Sequence, residues 1–341
     1  MTRIVECVPN FSEGRNIRTI NAIAGAISSV QGVKFISAEP DKDYNRTVVT
    51  FVGIPEAVVE AAFEGTRKAV ELIDMREHKG EHPRLGATDV VPFVPVSGLR
   101  MDECVRLANE FGKKVGEELS IPVYLYEEAA RRPERRNLSN IRKGEYEGLP
   151  EKLKDPAWAP DYGPAVFNER SGGTVTGARI FLIAYNVNLS TNDPKVANEI
   201  ALRIRESGRI KKDEKGNPVL DAKGQKLTIP GTLKAVKAMG VLLEAHNIAQ
   251  VSINLMNYLV TPPHVAFEEV RKQAATLGVD ATGSEIVGLT PKEALVMAGR
   301  FYAPDAQSEE KMIEVANERL GLSHLEQFDP RKKIIEYQLE E

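Results

Sequence analysis

One pattern is written twice in this chain. The stretch RTVVTFVGIPEAVVEAAFEGTRKAV at 46–70 is paralleled by AQVSINLMNYLVTPPHVAFEEVRKQAA at 249–275. Each is an alternating apolar strand, then proline, then a helical pattern with a Glu and a basic residue on its outer side. The repeat is too long for a solenoid, whose units run about 20–50 residues. It predicts an α/β (α+β) chain of two similar subdomains, with a ligand most naturally held in the cleft between them.

The flanking segments complete the same order. Residues 3–8 read as a strand, and Ile17, Ile20, Ala24, Ile27 and Val30 keep the three-and-four spacing of a half-buried helix. Strands at 33–39 and 46–53, joined by the polar run Pro40 to Asn45, read as a hairpin. Pro55 opens a helix whose apolar side includes Val58, Val59, Ala62, Phe63 and Ala69. The strand at 88–96 contains Pro92 and Pro95, which cannot donate to a ladder and predict an edge or an irregular strand. The resulting βαββαβ order is ferredoxin-like, and a helix at 102–119 and a strand at 122–126 extend it.

Residues 131–174 are rich in Pro, Gly and charge, carry little periodicity and read as connecting structure. The order then starts again with strand 179–188, helix 194–207, strands near 235–244 and 249–256, helix 263–277 and strand 283–289. The predicted subdomains are 1–177 and 178–341. A polar stretch at 213–226 with two glycine turns reads as a solvent-facing hairpin insertion.

Composition narrows the partners. With 42% hydrophobic and 28% charged residues the chain has what a packed core needs, which excludes disorder as its main state. Lys and Arg number 45 against 49 Asp and Glu, so the positive excess that phosphate neutralisation requires is absent and nucleic acid is not an expected partner. No apolar run approaches the ~18 residues of a membrane span, and MTRIVECVPN does not read as a signal peptide. Cys7 and Cys104 are too few for a disulfide framework or a Cys-rich zinc site, so a cytoplasmic protein with reduced thiols is expected. Cys104 shares the apolar side of its helix with Ala108, Phe111 and Val115, a core position.

Three polar stretches can carry chemistry. In MREHKGEHPRLGATD (75–89), Lys79, Glu81, His82, Arg84 and Asp89 crowd around Gly and Pro in a loop. Loops held by a rigid scaffold are where catalytic groups concentrate, and His is the side chain best suited to move protons near neutral pH. His78 and His82 also match the H-x-x-E-H spacing of one zinc peptidase class. That chemistry needs an unbroken helix, and Gly80 and Pro83 argue against one, so no metal is expected. A polar turn with hydrogen-bonded histidines is the plainer alternative. In AEPDKDYNR (38–46), Glu39, Asp41, Asp43 and Arg46 sit in the hairpin connection, which by composition alone reads as a solvated turn. In WAPDYGPAVFNERSGGTVTGAR (158–179), the glycines let backbone approach a ligand closely, although neither a dinucleotide fingerprint nor a P-loop is present and an interdomain linker would read the same.

Taken together, VECVPNFSEGRN (5–16), NRTVVTFVG (45–53), HKGEHPRLGATDVVPFVPV (78–96), PVYLYEEAA (122–130), WAPDYGP (158–164), TVTGARIFLIAYNVNL (174–189), AQVSINL (249–255) and FDPRKKIIEY (328–337) closely resemble the glutamate formimidoyltransferase, or formiminotransferase, family. The resemblance runs over nearly the whole chain. It is to the free-standing form without the cyclodeaminase domain that follows in animal members, and the 213–226 stretch has no counterpart in the family pattern.

The resemblance implies transfer of a formimino group from N-formimino-L-glutamate to N5 of tetrahydrofolate, the co-substrate, in histidine degradation. It also implies a homodimer of chains that each fold as two α/β subdomains around a folate cleft. The family's catalytic histidine lies in G-E-H-P-R, here His82. Its folate-binding loop corresponds to Gly163, Pro164, Ala165, Val166, Phe167, Asn168, Glu169, Arg170, Ser171 and Gly172. An acidic residue of the first hairpin matches Glu39, where the better-known animal sequence has Asp, so Asp41 or Asp43 can share its role. Arg46, Arg84 and Arg170 are candidates for substrate carboxylates, which the planar guanidinium fork suits. Two alternatives stay open on sequence alone: formyl transfer from N-formylglutamate, whose donor differs at one heavy atom, and a folate-binding regulatory protein without turnover.

Overall fold

A computed structural model describes residues 3–213, 216–221 and 224–339, and the chain divides into two units, Met1–Arg179 and Ile180–Glu341. The strands of the first are β1 (Ile4–Cys7), β2 (Asn10–Phe11), β3 (Val33–Asp41), β4 (Arg46–Gly53), β5 (Thr88–Ser97), β6 (Val123–Glu127) and β7 (Thr174–Ala178). Its helices are α1 (Ile17–Ser28), α2 (Pro55–Leu72), α3 (Met101–Glu118), α4 (Leu138–Arg142) and α5 (Glu145–Lys152). In the second unit the strands are β8 (Ile183–Leu189), β9 (Arg209–Ile210), β10 (Thr228–Ile229), β11 (Val236–Leu243), β12 (Ile248–Leu255) and β13 (Ala281–Val287). Its helices are α6 (Pro194–Ile204), α7 (Pro263–Thr276), α8 (Lys292–Tyr302), α9 (Glu309–Leu320) and α10 (Pro330–Lys333).

The repeated pattern is a repeated topology. In the first unit β3 pairs with β4, β4 with β1, and β1 with β5, all antiparallel. In the second the order is β11-β12-β8-β13, again antiparallel throughout. Numbered within each βαββαβ repeat, both sheets run second, third, first, fourth, the ferredoxin-like order that the sequence predicts.

Alternation decides which face each strand buries. On β4, Thr47, Val49 and Phe51 are buried while Arg46, Val48 and Thr50 remain partly open. The buried row joins Cys7, Phe11, Ile23, Ile27, Val58, Phe63, Cys104 and Phe111 in one core against α1, α2 and α3. α1 starts where the Asn16 side chain accepts hydrogen bonds from the N–H groups of Arg18 and Thr19, and Pro55 occupies the first turn of α2.

Three expectations change. β5 is an interior strand, paired with β1 and β2 on one side and parallel β7 on the other, and it is irregular, not an edge. Pro92 is tolerated because its polar side faces Val8, between β1 and β2, where the neighbouring ladder is interrupted; the Val8 N–H donates to the Pro92 carbonyl at 3.4 Å. Pro95 sits opposite Val5 at a register shift. The strand expected at 179–188 starts later, at Ile183, as β8, and β7, which precedes it within the stretch expected as connection, belongs to the first sheet. The 131–174 stretch is not plain connection. It forms the short α4 and α5, whose Ile141 and Leu149 pack with Leu85, Val90, Tyr124 and Val175 in a second core. Helices of five and eight residues are too short to show a helical period.

The 213–226 stretch follows β9, which pairs antiparallel with β10, and isolated bridges join Lys212 to Pro218 and Leu220 to Lys226. Residues 214–215 and 222–223 of that expected hairpin lie outside the described residues. No described helix is long and apolar enough to cross a membrane.

Candidate active site

The loop between α2 and β5 is built around Asn45, the last residue of the β3–β4 turn. Its left-handed backbone (φ 49°) is one that Asn tolerates better than most residues. Its side-chain oxygen accepts from the Gly14 N–H at 2.9 Å and its amide donates to the Lys79 carbonyl at 2.9 Å. Its own carbonyl lies 2.8 Å from His78 Nε2. Three loops meet on one buried side chain. The approach is close enough to require glycine at 80, where a Cβ would fall 2.3 Å from the Tyr44 carbonyl oxygen.

His78 and Arg84 form the rigid end of this loop. Arg84 Nε donates to His78 Nδ1 at 3.3 Å, so Nε2 of His78 carries its proton and donates to the Asn45 carbonyl. The rest of the Arg84 guanidinium is held by Glu145 at 2.9 Å and Glu147 at 2.6 and 2.8 Å. The Arg84 side chain is 8% exposed. Arg84 was expected to bind substrate carboxylates; two carboxylates from the start of α5 already occupy it, so it acts as an internal pin. Burial first, then the Arg84 charge, lowers the His78 pKa. The 78–82 segment is not helical, so the single-face geometry of the zinc peptidase pattern does not form.

His82 is at the other end. Arg46 Nη1 lies 2.7 Å from His82 Nε2. A guanidinium has only donors, so Nε2 must be the acceptor, and the imidazole is neutral with its proton on Nδ1. Burial, and after it the positive charges of Arg46 and Arg142, depress the His82 pKa to about 4, against the opposing pull of Asp41. Tyr44 presents its ring edge-on to the imidazole at 6.1 Å and lies under the Arg46 guanidinium at 5.3 Å.

The acidic residues of the hairpin divide their work. Asp41 pairs opposite Arg46 across the ladder, and its carboxylate accepts from the N–H groups of Asp43 and Tyr44, shaping the turn. Glu39, two residues earlier on the same face, is exposed and accepts from the Ser37 hydroxyl at 3.1 Å. Asp41 is the acid whose charge acts on His82. The Asp43 carbonyl accepts from the Glu81 N–H at 3.4 Å.

The 163–172 loop is anchored at both ends. Gly163 (φ 76°) packs where a Cβ would sit 2.2 Å from the Ile121 carbonyl, and Gly172 (φ 68°) bridges Gly86. Asn168 closes the loop's C-terminal turn, its side chain accepting from the Ser171 N–H and its carbonyl from the Gly172 N–H. Phe167 packs against Tyr146 with tilted rings 5.2 Å apart, and the Tyr146 hydroxyl donates to the Glu169 carbonyl. Ser171 is buried and its carbonyl accepts from Ala87, whereas Ala165, Val166, Glu169 and Arg170 are exposed. Arg170 donates to the Glu71 carbonyl at 2.9 Å. The Gly86–Gly172 bridge thus joins this loop to the segment that carries His82 and Arg84.

Residue type alone does not reveal Asn10, Asn45, His78, Arg142 or the Glu145–Glu147 pair as parts of this arrangement. The signal that could have found Asn45 is an Asn closing a tight hairpin turn, a position that favours positive φ.

Two family models account for the chain: the N-terminal subdomain of the formiminotransferase domain matches residues 4–179, and the formiminotransferase domain matches residues 184–340. Formimidoyltransferase-cyclodeaminase of Rattus norvegicus is 50% identical over 99% of this chain and 60% of its own length, so the chain spans about 60% of that relative. Glutamate formimidoyltransferases of Thermoplasma acidophilum and Streptococcus pyogenes serotype M1 are 47% and 42% identical, over 88% and 89% of this chain and 92% and 94% of their own lengths. By these matches, and by a fold whose two halves share one topology, the chain belongs to the formiminotransferase domain family.

Proposed function

We propose that this protein transfers the formimino group of N-formimino-L-glutamate to N5 of tetrahydrofolate, giving 5-formiminotetrahydrofolate and L-glutamate. Family membership supports the reaction class, and one observation carries the assignment of the chemistry to this site: His82 is a neutral imidazole whose Nε2 lone pair points at a hydrogen-bond donor. As N5 bonds to the formimino carbon, its proton must leave. As the carbon–nitrogen bond to glutamate breaks, that nitrogen must gain one. A single imidazole serves both steps, first as base and then as acid, an effect worth typically ~10²–10⁴-fold.

In this reading Arg46 faces a substrate carboxylate, Asp41 supplies the negative charge that favours the imidazolium, Glu39 holds the amidinium-like donor, and the loop Gly163–Gly172 receives the folate. Arg84 is left out because its guanidinium is committed. Cytoplasmic location, drawn from the sparse cysteines, and a homodimer, drawn from the resemblance, belong to the same proposal. The test assays the purified chain with tetrahydrofolate and each of two donors, formiminoglutamate and formylglutamate. Formimino transfer that His82→Ala abolishes while folate still binds is the expected result. Transfer at an unchanged rate in His82→Ala would sink the assignment.

A further inference from the structure

Arg46 differs from other inward-facing arginines of the first unit in having no carboxylate partner. Arg84 holds two carboxylates, Arg135 is paired with Asp161 at 2.8 Å, and Arg142 is paired with Asp89. No carboxylate among the described residues forms an ion pair with Arg46. Its contacts are the His82 ring nitrogen, Asn10 Oδ1 at a long 3.4 Å, and the face of Tyr44. Its Nε–H is buried with no partner, as is that of Arg135, but Arg135 has the Asp161 carboxylate on its other nitrogens and Arg46 has none. A buried guanidinium donor without an acceptor is costly, and a carboxylate is the group whose two oxygens fit the fork.

This resting contact also conflicts with catalysis. The proton of N5 needs the Nε2 lone pair of His82, and Arg46 holds that lone pair. An imidazole with a pKa near 4 is moreover a weak base for work near neutral pH.

We propose that Arg46 is a carboxylate-operated latch on His82: a substrate carboxylate takes the guanidinium, withdraws it from Nε2 and so releases the base. This rests on the transferase reading and adds the event that switches the base on. The carboxylate comes from the glutamyl part of the donor or from that of the folate, and the two sources can be told apart. The imidazole is faced by Arg46 from β4, Asp41 and Tyr44 from the hairpin and Arg142 from α4. Neutralising and moving Arg46 removes the nearest positive charge and leaves the Asp41 carboxylate, so the proton affinity of His82 rises. With Nε2 free, the N5 proton passes to it as the N5–carbon bond forms, Nδ1 keeps its own, and the Nε2 proton passes to the glutamate nitrogen as that bond breaks.

The experiment follows the ring nitrogens of His82 by ¹⁵N NMR in the full chain, assigned by loss of the signal in His82→Gln. Titrations are run without ligand, with L-glutamate and with p-aminobenzoyl-L-glutamate. In the wild type His82 should titrate near 4 alone and at least tenfold more readily when the effective carboxylate is bound. The ligand that produces the shift identifies the source. In Arg46→Ala the shift should be present without ligand and insensitive to it, with Arg46→Gln as the second variant if Ala does not fold. A His82 titration that neither ligand moves, or that moves equally in Arg46→Ala, overturns the latch. Turnover of formiminoglutamate is measured on the same samples. Its absence would overturn the proposed function, and the titration would still judge the latch.

Discussion

The two units share a topology and even a turn, yet use them differently. Asn45 and Asn247 both stand immediately before the third strand of their repeat, both in left-handed backbone, at φ 49° and 52°. Asn45 is buried and ties three loops together, whereas Asn247 is exposed and accepts one 3.3 Å hydrogen bond from Asn192. The helix-to-strand connections diverge further. In the first unit residues 73–87 separate α2 from β5 and carry His78, His82 and Arg84; in the second, residues 277–280 close the gap from α7 to β13 directly. The second unit's polar groups lie within its sheet and satisfy one another, Gln250 donating to Asn188 and Glu285, and Asn186 to Glu285. A duplicated scaffold therefore does not duplicate its loops, and the proposed site lies on the longer of the two connections.

The sharpest break of this comparison is His82→Ala. It should cut transfer by ~10²–10⁴-fold, measured as kcat with both substrates saturating, and leave the urea midpoint nearly unchanged. A second pair separates geometry from mere backbone strain. Gly80→Ala pushes a Cβ to 2.3 Å from the Tyr44 carbonyl and displaces the loop, for a roughly 10- to 100-fold loss of kcat/KM. Gly278→Ala, in the short connection of the second unit, meets open space at φ 72°. It should cost about 1–2 kcal/mol of stability and leave the rate alone. Equal effects on activity would show that loop position does not set the rate.

The turn asparagines come next, read as stability. Asn45→Ala loses two side-chain hydrogen bonds and strands their buried partners, for about 2–4 kcal/mol in urea unfolding followed by signals from the first unit. Asn247→Ala should cost no more than about 1 kcal/mol, since it loses its backbone preference and one exposed 3.3 Å hydrogen bond. If the two match, the tie between the hairpin and the 78–80 segment carries no stability.

Legibility in the sequence follows the range of the interactions. Period-2 and period-3.6 patterns, and Pro55 and Pro263 at helix starts, depend on neighbours a few residues away, so the two βαββαβ orders could be read directly. The crowding of charge around His82 in a Gly/Pro loop was equally local. What engages Arg84 is not legible locally, because Glu145 and Glu147 lie some sixty residues later on a helix too short to announce itself. Which of the two alternatives for β5 holds was not legible for a similar reason: whether a proline harms a ladder depends on the strand beside it, and the interruption between β1 and β2 that excuses Pro92 is a property of the partner. The resemblance supplied the role of His82 but not the guanidinium seated on its nitrogen.

The smallest expected effect concerns a property the two units share. His82 in the first and His264 in the second are both held neutral, each with its pKa lowered chiefly by burial. A histidine lowered from ~6.5 binds fewer protons folded than unfolded in the window between its two values, so stability is fully present above pH 6.5 and falls as the pH drops through that window. For His82 the window runs down to about 4. Urea unfolding at pH 7, 5.5 and 4.5 should therefore show a decline that His82→Gln and His264→Gln each make shallower, modestly for the half-exposed His82. The units part again under one further change. His264 stacks on Phe301 at 4.7 Å, whereas His82 has Arg46 at its nitrogen. Arg46→Ala should make the first unit's decline shallower and leave that of the second as it was. An unchanged decline in the first unit would mean that burial alone, and not the guanidinium, keeps His82 uncharged.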